Sequence, residues 1–229
     1  MVTVIIPAFK ATQYIDHCIN SINSNIEYEI LIGVDACIET FKAAKEYECD
    51  NIHVFYFTKN VGPYIIKNTL VDLAKYDKIL FFDSDDVMAE NTIDKVNDIL
   101  SQCDYANLKY INFSGTNINT NGHVMNDAVI CIKKVLFNSL NGFYNWRCGA
   151  DTEFTKRLES NNIKTKSFES VCYYRRLCPT SLTHAKETGH GSPIRQSYVQ
   201  IINNNQLTNH WPSPAIKFTQ DYVKNPTTS

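Results

Sequence analysis

The segment Phe81-Phe82-Asp83-Ser84-Asp85-Asp86 sets three carboxylates within four residues at the mouth of an apolar run. Crowded anions raise one another's pKa unless a cation compensates them. Oxygen donors of this kind suit Mg²⁺ or Mn²⁺, ions that usually also take substrate phosphates. Asp86 has a second reading, as the cap of the helix that follows. Asp35 closes an earlier apolar run, and Asn60-Val61-Gly62 follows another. Asp35 reads either as a turn residue or as a contact for a base or ribose. Lys67, one turn into a helix opening near Pro63, is either a solvated lysine or a cation that reaches phosphate. Asp151, in Gly149-Ala150-Asp151-Thr152-Glu153, reads equally as a helix cap, a first-turn acid or a general base.

The elements that must position these groups are legible in the periodicity. Apolar runs at residues 2–6, 29–34, 53–57 and 78–82 alternate with helical patterns. In the first of those patterns Ala11, Tyr14, Ile15, Cys18, Ile19 and Ile22 share one face. Further helices are expected at residues 38–47, from Gly62-Pro63 onward, and at 90–100. This alternation predicts an α/β fold with a mainly parallel sheet and helices on both faces. The uniformly apolar strands fit burial on both sides. Ligands of such sheets bind beyond the carboxyl ends of the strands, where Pro7, Ala8, Asp35, residues 60–63 and residues 83–86 fall.

The rhythm breaks near residue 103. An extended segment at 105–113, a loop at 116–121 with an Asn121-Gly122 turn, and a strand at 124–132 suggest a hairpin and a smaller mixed or antiparallel portion. Helices follow at 133–138, 151–160 and 194–202, with a strand at 166–174. Beyond residue 203 periodicity is lost, and residues 206–229 read as a tail that packs on the surface or frays. Residues 1–205 read as one domain.

The formal net charge of −2 advertises no nucleic-acid surface. The longest apolar runs are too short to span a bilayer, and no basic n-region precedes the first strand. The eight cysteines form no CxxC pair and no zinc spacing. They read as reduced thiols of a cytoplasmic protein.

Taken in order, the motifs resemble glycosyltransferase family 2, the inverting enzymes of GT-A fold, over roughly residues 2–183. Residues 2–9 are similar to the family's opening strand, which ends in Pro-x-Tyr/Phe. Asp35 matches the second aspartate of the usual pair, with Val34 in place of the first. Asn60-Val61-Gly62 with Lys67-Asn68 resembles the Asn-x-Gly…Arg-Asn segment, with lysine for arginine. Asp83-Ser84-Asp85 looks like the DxD motif. Asn141-Gly142-Phe143 and residues 149–158 resemble the acceptor region, with Ala150 in place of the usual glutamate. Tyr174-Arg175-Arg176 and Ser181-Leu182 resemble the closing segment. Its histidine is missing at Leu177 or Cys178, which makes His184 a candidate metal or phosphate ligand.

The resemblance implies transfer of a sugar from a nucleotide-sugar, most commonly a UDP-sugar, to an acceptor hydroxyl of a sugar or glycan. It makes residues 1–103 the donor half and residues 104–205 the acceptor half. Asp85, with Asp83 and His184, would hold Mn²⁺ or Mg²⁺. Asp83 and Ser84 would face the donor, Asp35 its base, and Lys67 its phosphates, with Pro7, Ala8, Asn60 and Gly62 lining the nucleoside. Asp151 would be the base. Residues 189–192, with His190, would form a lid. Two alternatives stand beside it. Residues 83–87 satisfy the DxDx(T/V) pattern of haloacid-dehalogenase-type phosphatases, with Asp83 as nucleophile and Asp85 as acid. Ala150 supports a degenerate sugar-nucleotide-binding module.

Overall fold

The computed structural model describes residues 1–115, 117–118, 120, 122–161, 163, 165–178, 181–212, 214 and 219–226. Asn121 of the expected turn and residues 116 and 119 of the 116–121 loop lie outside them. The first half runs β1 (Val2–Ala8), α1 (Ile15–Asn20), β2 (Tyr28–Asp35), α2 (Ile38–Lys45), β3 (Ile52–Phe57), α3 (Pro63–Leu73), β4 (Lys78–Phe81), β5 (Val87–Met88) and α4 (Thr92–Ile99). The second runs β6 (Tyr105–Phe113), β7 (Val124–Lys133), α5 (Lys134–Ser139), α6 (Ala150–Ser160), β8 (Thr165–Ser167), β9 (Tyr173–Arg176), α7 (Pro193–Thr208) and β10 (Tyr222–Val223).

One sheet takes the order β10-β3-β2-β1-β4-β7-β6-β9-β5, with β8 beside β6. Strands β3, β2, β1 and β4 are mutually parallel, whereas β7 runs antiparallel to both β4 and β6. The side-chain alternation of the strands divides the interior into two cores. Val4, Ile6, Ile32 and Leu80 face Ile15, Ile19, Phe41 and Val96 from α1, α2 and α4. Ile5, Leu31, Ile79 and Phe81 face Tyr64, Ile66, Leu70, Phe137 and Phe154 from α3, α5 and α6. Apolar residues on both faces of each strand are therefore what the doubly covered sheet requires.

Gly33 shows how closely α3 approaches. A Cβ at this mid-strand position would fall on the Ile66 methyl and lie 3.0 Å from the Phe57 ring. Gly33→Ala is expected to push α3 off the sheet and cost about 1–3 kcal/mol, as overpacking of a filled core does. A lowered urea midpoint with an unchanged slope would record it; an unchanged midpoint would show that α3 can yield.

Three elements depart from the sequence reading. The single strand expected at 166–174 is two short strands, β8 and β9, both parallel to β6. Helix α7 continues to Thr208 instead of stopping near residue 202, and closes at Asn209, whose φ of 47° is left-handed and whose N–H reaches the Asn205 and Gln206 carbonyls. The segment expected to pack or fray contributes β10, which pairs with β3 at Tyr222 and Phe57. No helix among the described residues is long and apolar enough to cross a membrane.

Candidate active site

The parallel strands bring Ala8, Asp35, the segment after Phe57 and the segment after Phe81 to one edge of the sheet. Ala8 is buried and can offer a ligand its backbone, as can Pro7 before it. The buried Asp35 carboxylate accepts the Val61 N–H at 2.8 Å and the Gly62 N–H at 3.0 Å. It thereby ties the end of β2 to the loop before α3. Burial pushes this carboxyl up, and the two N–H donors pull against that. Gly62 is the N-cap of α3 with φ 86°, a conformation that favours glycine. The exposed Asn60 accepts a hydrogen bond from the Arg147 guanidinium at 3.2 Å.

The three aspartates after β4 have separate surroundings. Asp83 is half-exposed, and the buried Lys67 ammonium lies 3.2 Å from its Oδ1. Burial, then repulsion from Asp83, raises the Asp85 carboxyl to about 6, and Arg175 and Arg176 partly offset this. Asp86 is buried, and its Oδ1 accepts the Arg176 N–H at 2.9 Å. Asp86 thus anchors β9 and caps no helix, since α4 begins after Asn91. Arg176 also donates to the Asp85 carbonyl at 2.8 Å, with its guanidinium over the Phe113 ring. Ser84 is buried beside them.

His184 does not join this group. It is exposed, and its Nδ1 lies 3.0 Å from the Ser181 hydroxyl. Among the described residues no three His, Cys, Asp or Glu side chains form a metal-holding group. The ligand set of Asp83, Asp85 and His184 is therefore not assembled. Asp83 and Asp85 alone remain suited to a hard cation. An ion such as Mg²⁺ typically takes one or two carboxylates and completes its shell with water and substrate phosphate. Residues 189–192 lie in hydrogen-bonded turns leading to Ser192, whose hydroxyl accepts the Arg195 N–H and caps α7.

At the start of α6, Gly149, with φ 75°, holds the N-cap position, so Asp151 is not the cap residue. Its Oδ1 accepts the Tyr64 hydroxyl at 3.0 Å and the Thr152 N–H at 2.8 Å. Ala150 is fully buried in the α3-side core, so the position where the resembling family has glutamate is a packing position here. Glu153 is fully buried and receives Arg157 at 2.9 and 3.0 Å. Asn68 joins the two halves: its amide donates to the Phe143 carbonyl and accepts the Phe143 N–H, both at 3.0 Å. The 67–68 and 141–143 motifs, apart in sequence, therefore form one joint.

Tyr64 and Arg147 carry no signal of their own in the sequence, and Arg176 carries only its place in the closing motif, because each is defined by a distant partner. A cleft of about 350 Å³ lined in part by Asn141, Asn161 and Trp211 shares no residue with the carboxylates.

The model for glycosyl transferase family 2 matches residues 3–158. The chain belongs to glycosyltransferase family 2. TuaG of Bacillus subtilis (strain 168), named for a glycosyltransferase of teichuronic acid biosynthesis, is 24% identical over 218 residues, covering 92% of this chain and 83% of its own. Residues 1–349 of S. aureus TarS, solved with UDP-GlcNAc, match at a TM-score of 0.67 and 18% identity, covering 79% of this chain and 59% of that one. The mannosyltransferase PcManGT from Pyrobaculum calidifontis, solved with GDP-Man and Mn²⁺, matches at a TM-score of 0.64 and 15% identity, covering 93% of this chain and 65% of that one. The glycosyltransferase family 2 chain thus has the GT-A fold and is a glycosyltransferase. Family membership displaces the phosphatase reading, and Asp83 follows the fourth strand of the domain instead of the first.

Proposed function

We propose that this glycosyltransferase moves a sugar from a UDP-sugar to a hydroxyl of a sugar or glycan acceptor, with inversion and with the help of Mn²⁺ or Mg²⁺. One observation carries the reading: a single helix touches both reacting sides. From α3, Lys67 reaches Asp83 and Tyr64 reaches Asp151. Residues three apart on a helix are neighbours, so one helix links the proposed donor carboxylate to the proposed base.

In this reading Asp151 takes the proton of the acceptor hydroxyl as its oxygen attacks the anomeric carbon. The bond from that carbon to the phosphate oxygen breaks on the opposite face, and the nucleoside diphosphate leaves with the electron pair. A single displacement of this kind inverts the centre. Asp85 and Asp83 would hold the ion, which when bound supplies Lewis-acid neutralisation of the diphosphate. Lys67 turns from Asp83 toward the phosphates. Asp35, through the loop it fixes, and Asn60, Gly62, Pro7 and Ala8 line the nucleoside. Residues 1–103 are the donor half and 104–205 the acceptor half. TarS solved with UDP and with UDP-GlcNAc, and PcManGT with Mn²⁺, support the donor and ion classes. The TuaG likeness supports a polysaccharide product. The eight cysteines, with no CxxC pair and no zinc spacing in the sequence, support a reducing, cytoplasmic setting.

Calorimetric titration with UDP tests the ion. Affinity is expected to fall about tenfold or more when Mn²⁺ is withheld or chelated, a loss of at least one charge-assisted anchor. Equal affinity in all three conditions would remove the ion from donor binding.

A further inference from the structure

The two oxygens of Asp151 differ in their surroundings. Oδ1 accepts both the Tyr64 hydroxyl and the Thr152 N–H. Among the described residues, no hydrogen bond reaches Oδ2. We infer that Tyr64 is a positioning residue for the reaction, its hydroxyl pinning Oδ1 so that Oδ2 is turned to the acceptor. This deepens, and rests on, the assignment of Asp151 as the base.

The phenol is itself held rigidly. Its ring is 5% exposed and packs against Phe143, with centroids 5.4 Å apart. Gly62 and Pro63 fix the start of α3, which sets where the ring enters. Burial, then the Asp151 charge, keeps the Tyr64 hydroxyl protonated well beyond its ordinary range. The group therefore donates a hydrogen bond and does not compete for the acceptor's proton. A phenylalanine would fill the same apolar space, so packing alone does not account for the hydroxyl. Thr152 N–H belongs to the same helix as Asp151 and moves with it. Tyr64 is the external tether, and it stands on the helix that also carries Lys67. The rotamer of the base is thereby referenced to the donor carboxylate Asp83.

The test compares Tyr64→Phe, Asp151→Asn and the double variant, each assayed for melting temperature, UDP affinity, donor KM and kcat. Tyr64→Phe is expected to lower kcat roughly tenfold, the effect of one lost hydrogen bond to a charged group. UDP affinity and donor KM should stay within about twofold, because uniform binding is untouched. In the Asp151→Asn background the same change should add little, since both substitutions act through one carboxylate. Wild-type kcat in Tyr64→Phe, with Asp151→Asn impaired, would overturn the tether and leave the base standing. An equal further loss in the double variant, or a loss of UDP affinity with kcat, would also overturn it. Undiminished turnover in Asp151→Asn would remove the base, and the tether with it.

Discussion

Asp85→Ala is expected to abolish sugar transfer while leaving the protein folded. Asp85 stands at the carboxyl end of the sheet, buried enough that its carboxyl is raised from the ordinary 3.8 to about 6. A cation with donor phosphates would compensate that charge, and alanine removes the side chain proposed as its main anchor. The loss should reach roughly 10³-fold in kcat, the scale of removing one strong electrostatic stabiliser from an active site. The stability effect has a defined sign. A carboxyl whose pKa is raised by folding favours the fold when protonated, and that contribution is lost as pH rises from about 4 through about 6. Above that window, without ions, Asp85→Ala should melt no lower than wild type. A folded variant with normal turnover would contradict the role; a variant that melts well below wild type at pH 8 would make Asp85 structural.

Asp151→Asn should keep donor binding and lose transfer. Asparagine is the same size, and its carbonyl oxygen can still accept the Tyr64 hydroxyl and the Thr152 N–H. What it cannot do is accept the acceptor's proton. Losing a general base typically lowers the rate by about 10²- to 10⁴-fold. Transfer to acceptor is therefore expected to fall in that range, with UDP affinity and melting temperature nearly unchanged. Transfer within about threefold of wild type, well short of that range, would reduce Asp151 to a structural contact. Glu153 is no substitute, because it is fully buried and holds Arg157 against the Leu140 and Gly142 carbonyls.

The sequence by itself determined the strand–helix alternation, because buried parallel strands need unbroken apolar runs and amphipathic helices need a 3.6-residue period. It also determined which residues share one edge of the sheet, because parallel strands all end on one side. Asp35, Lys67, Asp83 and Asp85 were legible on those grounds. The tertiary structure decided who meets whom. Tyr64 finds Asp151 across 87 residues, Asn68 finds Phe143 across 75, and Asp86 finds Arg176 across 90. No local spacing encodes such pairs. Asp86 looked like its neighbours, yet burial against β9 made it an anchor. His184 looked like a ligand, and the fold left it exposed beside Ser181. The Asn-rich end of α7 lacks apolar periodicity and intrinsic helix preference. There the helix is carried on from a stretch anchored by buried Ile202 and by Tyr198 stacked at 4.2 Å on Trp146. Propensity and period act over a few residues, whereas packing and hydrogen-bond satisfaction act between segments that the chain brings together only on folding.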